Sequence, residues 1–152
     1  MKNPRFSSTM DKKEIVVAAS GGFDPLHAGH IEYLQKAKAL GDKLVVIVNK
    51  DTFLMKKKGY VFMPFDERIK IIAALKCVDE VIPCIDDDQS VCKTLEMLKP
   101  SIFAKGGDRT KANIPEAEVC VRLGIKIVDG LGNKIQASSD LVNNMRTSVK
   151  GN

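Results

Sequence analysis

Five short runs of apolar, largely β-branched residues recur along this chain, and their spacing constrains the fold more than any other feature. They cover residues 14–20, 43–49, 80–85, 101–105 and 125–130, and each has the length of a strand. Stretches with helical spacing of apolar residues follow them, at residues 28–40, 65–77, 90–98, 115–124 and 138–149. Apolar strands that alternate with helices are typical of a parallel sheet covered on both faces. We therefore predict an α/β fold with a Rossmann-like, doubly wound, five-stranded parallel sheet.

Local signals set the expected ends of these elements. Gly41 ends the first helix, and Pro115 takes the first position of another. Ser90 or one of the aspartates at 86–88 caps the helix over residues 90–98. The lysine-rich residues 55–64 are predicted to form a loop.

The chain of 152 residues predicts one domain, over residues 14–152, behind a flexible polar leader of residues 1–13. That leader lacks the apolar core of a secretory signal, and no apolar run approaches the roughly 18–20 residues that cross a bilayer. We therefore expect a cytoplasmic protein. The four cysteines form no CxxC pair and lie in or beside apolar segments, so we expect buried free thiols rather than a zinc site.

The formal net charge of +5 favours an anionic partner. Nucleic acid is one such partner, but the chain has only six Phe and two Tyr and shows no stripe of alternating basic and aromatic residues. A small phosphorylated substrate explains the charge equally well. We expect such a substrate, without nucleic acid or a membrane as partner.

The carboxyl ends of parallel strands meet at one edge of a sheet, where α/β proteins bind ligands. Residues 21–30, GGFDPLHAGH, follow the first strand and hold both histidines of the chain. Gly21 and Gly22 would allow a tight turn and close approach to a ligand, as would Gly29 in the first helical turn. The free amides of that turn favour phosphate, and both rings can face one phosphate group. The alternatives are a surface pair of histidines or half of a metal site.

The HAGH segment resembles the HxGH signature of the nucleotidyltransferase superfamily, which includes cytidylyltransferases. The resemblance is greatest to glycerol-3-phosphate cytidylyltransferase and to the adenylyltransferase domain of ADP-heptose synthesis. It extends along the chain in order, through Phe23–Asp24, Val48–Asn49–Asp51, Lys56–Lys58–Gly59, Glu67–Arg68, Val78–Ile82 and Lys105–Asp108. Members of this family attack the α-phosphate of a nucleoside triphosphate and release pyrophosphate.

The resemblance implies a role for each matching residue. The implied catalytic residues are His27, His30 and Lys58, and the implied nucleotide- or phosphate-binding residues are Gly21, Gly22, Phe23, Asp24, Gly29, Lys56, Arg68, Lys105, Gly106, Gly107, Asp108, Ser138 and Ser139. The lysines bind triphosphate or acceptor, although a run of lysines is also typical of a solvated face. Asp24 either holds Mg²⁺ or orients the glycine loop. Each of these roles has an alternative. Arg68 would be a surface charge on a helix, residues 105–109 a turn, and Ser138 and Ser139 a helix cap.

The sequence indicates the substrates less directly than it indicates the type of reaction. The final segment has Ser138, Ser139 and Asp140 where these relatives carry an ISTT-like sequence, and Lys134 where cytidylyltransferases often place an arginine. Likeness to glycerol-phosphate enzymes favours CTP, whereas the KGGD segment favours ATP; we predict CTP. The expected reaction is transfer of NMP to a polyol or sugar phosphate, with Mg²⁺ accompanying the nucleotide and a homodimer implied by resemblance. The alternatives are an adenylyltransferase acting on a sugar phosphate or a cofactor precursor, and a non-catalytic nucleotide-binding regulatory module.

Overall fold

The computed structural model describes residues 14–88, 90–105, 114–128 and 131 of the chain. Strands and helices alternate through them in this order: β1 (Val16–Gly21), α1 (Ala28–Lys38), β2 (Lys43–Val48), α2 (Asp51–Lys58), α3 (Phe65–Ala73), β3 (Glu80–Pro83), α4 (Cys92–Leu98), β4 (Ile102–Ala104), α5 (Ile114–Leu123) and β5 (Lys126–Val128). The predicted leader and the predicted helix over 138–149 lie outside the described residues.

All five strands are parallel and lie in the order β3-β2-β1-β4-β5, which confirms the predicted α/β fold. The chain therefore builds outward from β1 to β3 and then returns to the other side of β1 with β4. Pairing of β1 with β2 continues to the Gly21–Val48 pair, whereas pairing of β1 with β4 stops at Ala19–Ala104. The strand order thus reverses between β1 and β4, and the two strands part at their carboxyl ends. Such a crevice is where doubly wound sheets bind ligands.

Each face of the sheet packs a separate apolar cluster against its helices. Alternate residues of β1 point to opposite faces, so that Val17 and Ala19 belong to one cluster and Ala18 to the other. Leu34 of α1 and Ile72 of α3 cover the first face. Leu95 of α4, with Val119 and Cys120 of α5, covers the second. Helices therefore lie on both faces, as the apolar strands predict.

The loop prediction for residues 55–64 was wrong in its first part, because residues 51–58 form α2. Gly59 ends this helix with φ of 85°, a left-handed conformation that glycine adopts at little cost. Three lysines occupy the last turn, where the helix dipole favours positive charge. α5 also begins one residue earlier than predicted, at Ile114.

α4 begins at Cys92, two residues later than predicted, and its N-cap residue is Val91 rather than Ser90 or an aspartate. Asp86 and Ser90 nevertheless bind amides of its first turn. The Asp86 carboxylate accepts hydrogen bonds from the backbone N–H groups of Lys93 (2.7 Å) and Thr94 (3.0 Å). The Ser90 hydroxyl accepts one from Cys92 (3.3 Å). Together these side chains satisfy amides of the first turn, which have no partner within the helix.

The four cysteines are free thiols, as predicted. Cys84 and Cys120 are buried, whereas Cys77 and Cys92 are only half-buried, so the expectation of burial was correct for two of them. Among the residues the structure describes, no cluster of His, Cys, Asp or Glu could hold a metal ion. No helix in the described part of the chain is long and apolar enough to span a bilayer.

Candidate active site at the carboxyl end of β1

The two histidines lie together at the start of α1, as the sequence predicted. Their rings are stacked, with centroids 3.9 Å apart and planes inclined by 23°. His27 is the N-cap residue of the helix and His30 its third residue, so one helical turn brings the rings together. Phe23 packs its ring edge-to-face against His30, with centroids 5.0 Å apart.

Each histidine caps the helix through its Nδ1 atom. Nδ1 of His27 accepts a hydrogen bond from the backbone N–H of Gly29 (3.1 Å), and Nδ1 of His30 accepts one from the N–H of His27 (3.2 Å). A ring nitrogen that accepts a hydrogen bond carries no proton, so in each neutral ring the proton lies on Nε2. Both rings therefore present Nε2–H as their donor.

These contacts correct one expectation about the site. The amides of His27 and Gly29 are engaged by the histidine rings and are not free to bind phosphate. The outward donor of the helix start is instead the imidazole Nε2–H. In His27 this atom is buried and has no hydrogen-bond partner among the described residues. A buried donor without a partner costs free energy, which a bound acceptor would recover.

The environment keeps both rings neutral. Burial lowers the pKa of His27 below its usual value. Burial, with a smaller effect of the neighbouring His27, lowers the pKa of His30 from 6.5 to about 4. Desolvation disfavours the charged form of imidazole, which accounts for the direction of both shifts. At neutral pH the free protein therefore carries two uncharged donors here.

The glycines before the histidines make room for neighbouring side chains. A Cβ on Gly21 would lie 3.0 Å from the Phe23 ring, and a Cβ on Gly22 would lie 2.8 Å from Cδ2 of Leu54. Gly21 and Gly22 therefore allow Phe23 and α2 to close over the loop. Phe23 itself has φ of 54° and is buried, so its ring holds the loop against His30. We predicted that glycine at these two positions allows a ligand to approach closely. The structure shows a different reason, which is the space needed by Phe23 and Leu54.

Asp24 is almost fully buried and joins the histidine loop to the segment before α3. Its Oδ2 accepts hydrogen bonds from the backbone N–H of Phe62 (2.7 Å) and from Nζ of Lys58 (3.3 Å). Its Oδ1 accepts one from the N–H of Met63. Lys58 also donates to the Asp24 carbonyl oxygen (2.9 Å) and lies over the ring of Tyr60. Because both carboxylate oxygens are engaged, Asp24 fits the loop-orienting alternative and does not fit a magnesium ligand.

Arg68 is fully buried and holds three loops together. Its guanidinium donates to the carbonyl oxygens of Gly22 (2.9 Å), Asn49 (2.6 Å) and Met63 (2.9 Å), and it forms an ion pair of 2.6 Å with Asp51. These contacts leave the Arg68 side chain with no exposed surface. The phosphate role stays a prediction, and the geometry makes Arg68 a positioning residue for the ends of β1 and β2.

Two residues outside the predicted set also shape the site. The Tyr33 hydroxyl donates to the carbonyl oxygen of Ala104 (2.7 Å) and accepts from the N–H of Ser20 (3.3 Å), so it bridges β1 and β4 where they part. Burial raises the pKa of Tyr33. Asn49 donates its N–H to Gly21 (3.0 Å), while its buried Oδ1 has no partner in the described part of the chain. The sequence signal that could have identified Tyr33 was its position on α1, three residues after His30.

The two predicted lysines separate. Residues of an α-helix are about 100° apart, so Lys56 and Lys58 lie on opposite sides of α2. Lys58 contacts Asp24 on the histidine side, whereas Lys56 lines a cavity on the other side. Lys105 lies at the end of β4, where its N–H donates to Val128 (2.8 Å). The remaining predicted residues, Gly106, Gly107, Asp108, Lys134, Ser138, Ser139 and Asp140, lie outside the described residues.

Comparison with known proteins gives consistent matches over this region. Residues 18–131 match the model of a family described as cytidylyltransferase-like. The bifunctional protein HldE of Hahella chejuensis is 37% identical over 138 residues, which are 90% of this chain and 27% of that protein. HldE of Streptomyces coelicolor is 44% identical over 104 residues, or 67% of this chain and 22% of that protein. The chain thus spans about a quarter of the length of these relatives.

Two solved structures are similar in fold. A lipopolysaccharide core biosynthesis protein from Thermoplasma volcanium is 33% identical, with a TM-score of 0.67 over 80% of this chain and 99% of that one. A pantoate-beta-alanine ligase from Francisella tularensis is 18% identical, with a TM-score of 0.53 over 93% of this chain and 73% of that one. The second likeness concerns the fold alone.

Proposed function

Because this chain belongs to the cytidylyltransferase-like family, we propose that it transfers NMP from a nucleoside triphosphate to a small phosphate monoester and releases pyrophosphate. One observation carries the proposal: two stacked, neutral imidazoles with Nε2–H donors at the carboxyl end of β1, beside the crevice where the strand order reverses. A polyanionic substrate supplies the acceptor that the Nε2–H of His27 lacks among the described residues.

The proposed reaction needs no activated side-chain nucleophile. A phosphate monoester is already an anion at neutral pH, and one of its oxygens attacks the α-phosphorus while the bond to the β-phosphate oxygen breaks. Catalysis then consists of aligning two anions and stabilising the charge that develops on the transferred group and the departing pyrophosphate. His27 and His30 would donate from Nε2 to those oxygens. Arg68 and Asp24 would hold the loops that carry them.

Neutral histidines have a specific advantage in this role. Hydrogen-bond donors that are fixed before the substrate arrives need little reorganisation at the moment of reaction. The capping bonds at Nδ1 fix both rings, and the Phe23 contact supports His30. Binding of anionic phosphate would raise the pKa of both rings, because a neighbouring negative charge favours the imidazolium form. The pair could therefore gain positive charge only when the substrate is present.

Magnesium is expected as the counter-ion of the nucleotide. The described residues do not include a fitting magnesium site, since Asp24 uses both carboxylate oxygens within the protein. The ion would accordingly enter with the triphosphate, and no step of the proposal depends on a protein ligand to it.

The nucleotide is CTP or ATP, and the acceptor is a polyol or sugar phosphate. The description of the family model supports cytidylyl transfer. The likeness to a lipopolysaccharide core biosynthesis protein, at 33% identity, supports a sugar phosphate as acceptor. A homodimer in the cytoplasm remains the expected assembly and compartment.

Pyrophosphate release tests the proposal. The purified protein would be incubated with CTP, ATP, GTP or UTP and Mg²⁺, each with glycerol 3-phosphate, ribose 5-phosphate and a set of hexose and heptose phosphates. We expect release with one nucleotide, dependent on an acceptor that carries phosphate and absent with its dephosphorylated form. The double variant His27→Ala/His30→Ala should lower kcat by at least about 10²–10³, the usual effect of losing a positioned donor.

Two results would refute the proposal. Nucleotide binding without pyrophosphate release for any acceptor would favour the regulatory alternative. Full turnover by the double variant would show that the histidines do not act on the reacting phosphates. The variant Lys70→Gln, an exposed change on α3 away from the site, controls for handling of the protein.

A further inference from the structure

The two walls of the crevice meet at a tyrosine that the predicted set of site residues did not include. Pairing of β1 with β4 ends at Ala19–Ala104, whereas β1 stays paired with β2 to its last residue. β4 instead continues beside β5, since the N–H of Lys105 donates to the carbonyl oxygen of Val128 (2.8 Å). Beyond Ala104, the end of β4 therefore belongs to the β5 side of the crevice.

Tyr33 joins three elements at this point. It lies on α1 three residues after His30, so the two side chains leave the helix on the same side. Its hydroxyl donates to the carbonyl oxygen of Ala104 (2.7 Å) and accepts a hydrogen bond from the N–H of Ser20 (3.3 Å). One side chain thus ties the helix that carries His30 to both strands that flank the crevice.

The surroundings of Tyr33 keep this link in place. The residue is buried, and its ring belongs to the first apolar cluster together with Leu34 and Ala104. Burial raises the pKa of Tyr33, so the hydroxyl stays protonated at neutral pH and always has a proton to donate. Ala104 is itself fully buried, and a buried carbonyl oxygen without a donor costs free energy. The bonded position of the end of β4 is therefore favoured.

A nucleotide that binds in this crevice has to contact both walls at once. The histidine donors lie at the start of α1, beside the end of β1, and would contact the phosphates. The nucleoside of the same molecule extends from the α-phosphate, and the wall across the crevice is the end of β4. Because covalent bonds join the nucleoside to the α-phosphate, both parts fit only if the two walls keep a matching distance.

We propose that Tyr33 is a positioning residue for the nucleotide, and that its hydroxyl holds the end of β4 at the distance from the histidine pair that a nucleotide requires. This role rests on the proposed function, because it assumes that a nucleoside triphosphate spans the crevice. Tyr33 contacts no reacting atom in this role. It contributes accurate placement, and a misplacement of roughly 1 Å can lower a rate about 10²-fold.

Binding of two polyanions separates positioning from a general weakening of the site. Inorganic triphosphate offers phosphate oxygens to the histidines but has no nucleoside to reach β4. In Tyr33→Phe, which keeps the ring and removes only the hydroxyl, the Kd for the nucleoside triphosphate that the wild-type protein binds most tightly should rise about tenfold. The Kd for inorganic triphosphate, followed through the imidazole ¹⁵N resonances of His27 and His30, should change less than about twofold.

Turnover measures how accurately the bound substrates are placed. With both substrates saturating, Tyr33→Phe should lower kcat at least about tenfold, because the nucleotide would no longer be held in line with the acceptor. The substitution Tyr33→p-aminophenylalanine keeps a donor near Ala104 and should recover most of the lost kcat. Val119→Ala should cost a comparable free energy of unfolding by leaving a cavity on the opposite face of the sheet, and should leave kcat and both Kd values unchanged.

Three results would overturn the positioning role. Equal losses of affinity for the nucleotide and for inorganic triphosphate would show that the hydroxyl supports the histidine loop as a whole. An unchanged kcat and an unchanged nucleotide Kd in Tyr33→Phe would show that the spacing does not depend on the hydroxyl. An equal fall of kcat in Val119→Ala would show that lost stability alone accounts for the effect.

The binding measurements distinguish this role from the proposed function. If the wild-type protein binds a nucleotide but transfers it to no acceptor, the proposed function fails, and a selective loss of nucleotide affinity in Tyr33→Phe would still support the positioning role. If turnover occurs and the hydroxyl has no effect on it or on nucleotide affinity, only the positioning role fails. A wild-type protein that binds no nucleoside triphosphate would refute both.

Discussion

Acidification from pH 7 to pH 5 should destabilise this protein through His30, and the variant His30→Gln isolates that effect. The folded protein holds the pKa of His30 at about 4, whereas the unfolded chain has the ordinary value of 6.5. Between these values the unfolded state binds a proton that the folded state does not bind. Stability therefore rises with pH in this window and falls as the pH is lowered below 6.5.

The magnitude follows from the width of the window. Each pH unit below 6.5 costs about 1.4 kcal/mol until the folded-state pKa is reached, so about 2 kcal/mol is lost by pH 5. Glutamine at position 30 can still accept the N–H of His27, as in an ordinary capping box, but it cannot titrate. Most carboxylates stay ionised at pH 5, which limits their contribution.

Urea denaturation of both proteins at pH 7 and pH 5 measures the effect. The free energy of unfolding of the wild-type protein should fall by about 2 kcal/mol more than that of the variant. His27, whose pKa is also lowered by burial, remains in both proteins, so the difference contains the titration of His30 together with its interaction with His27. An equal loss in the two proteins would show that His30 is not held neutral by the fold.

Three further substitutions test the supports of the site by urea denaturation. Gly22→Ala should lower the free energy of unfolding by about 1–3 kcal/mol because its Cβ would lie 2.8 Å from Cδ2 of Leu54. The same substitution should cost little in a chain that also carries Leu54→Ala. Equal costs in the two backgrounds would contradict the packing role. Tyr33→Phe should lower the free energy of unfolding by about 1–3 kcal/mol because it leaves the carbonyl oxygen of Ala104 without its 2.7 Å partner. An unchanged free energy of unfolding would show that the bridge between β1 and β4 does not stabilise the protein. Arg68→Met should cost about 3 kcal/mol or more because it removes the donor to three carbonyl oxygens, one buried and two partly buried. A fully stable variant with lost activity would instead support direct phosphate binding.

The sheet was predictable because its strands carry a strong local signal. Continuous β-branched runs such as residues 43–49 are buried on both faces, and only a covered parallel sheet accommodates them. α2 was missed because its own sequence says little: Leu54 is its single buried residue, and three lysines end it. Contacts distant in sequence, from Asp51 to Arg68 and from Lys58 to Asp24, add to its stability.

The position of the histidines was also predictable, since a glycine-rich turn before a helix is a local pattern. Their tautomer was not, because it depends on which backbone amide each Nδ1 meets after folding. The burial of Arg68 was equally hidden, since an arginine near a helix start is ordinarily exposed. The carbonyl oxygens of three separate loops and the Asp51 carboxylate, brought together by the sheet, explain a fully buried guanidinium.

Nitrogen-15 NMR of the imidazole rings at pH 7 tests most directly whether His27 and His30 are neutral donors from Nε2. In the free protein, both rings should show a protonated Nε2 and an unprotonated Nδ1, and addition of the productive nucleotide should shift the Nε2 resonances most. An Nδ1–H tautomer, or imidazolium in the free protein at pH 7, would contradict the capping geometry and the catalytic role built on it.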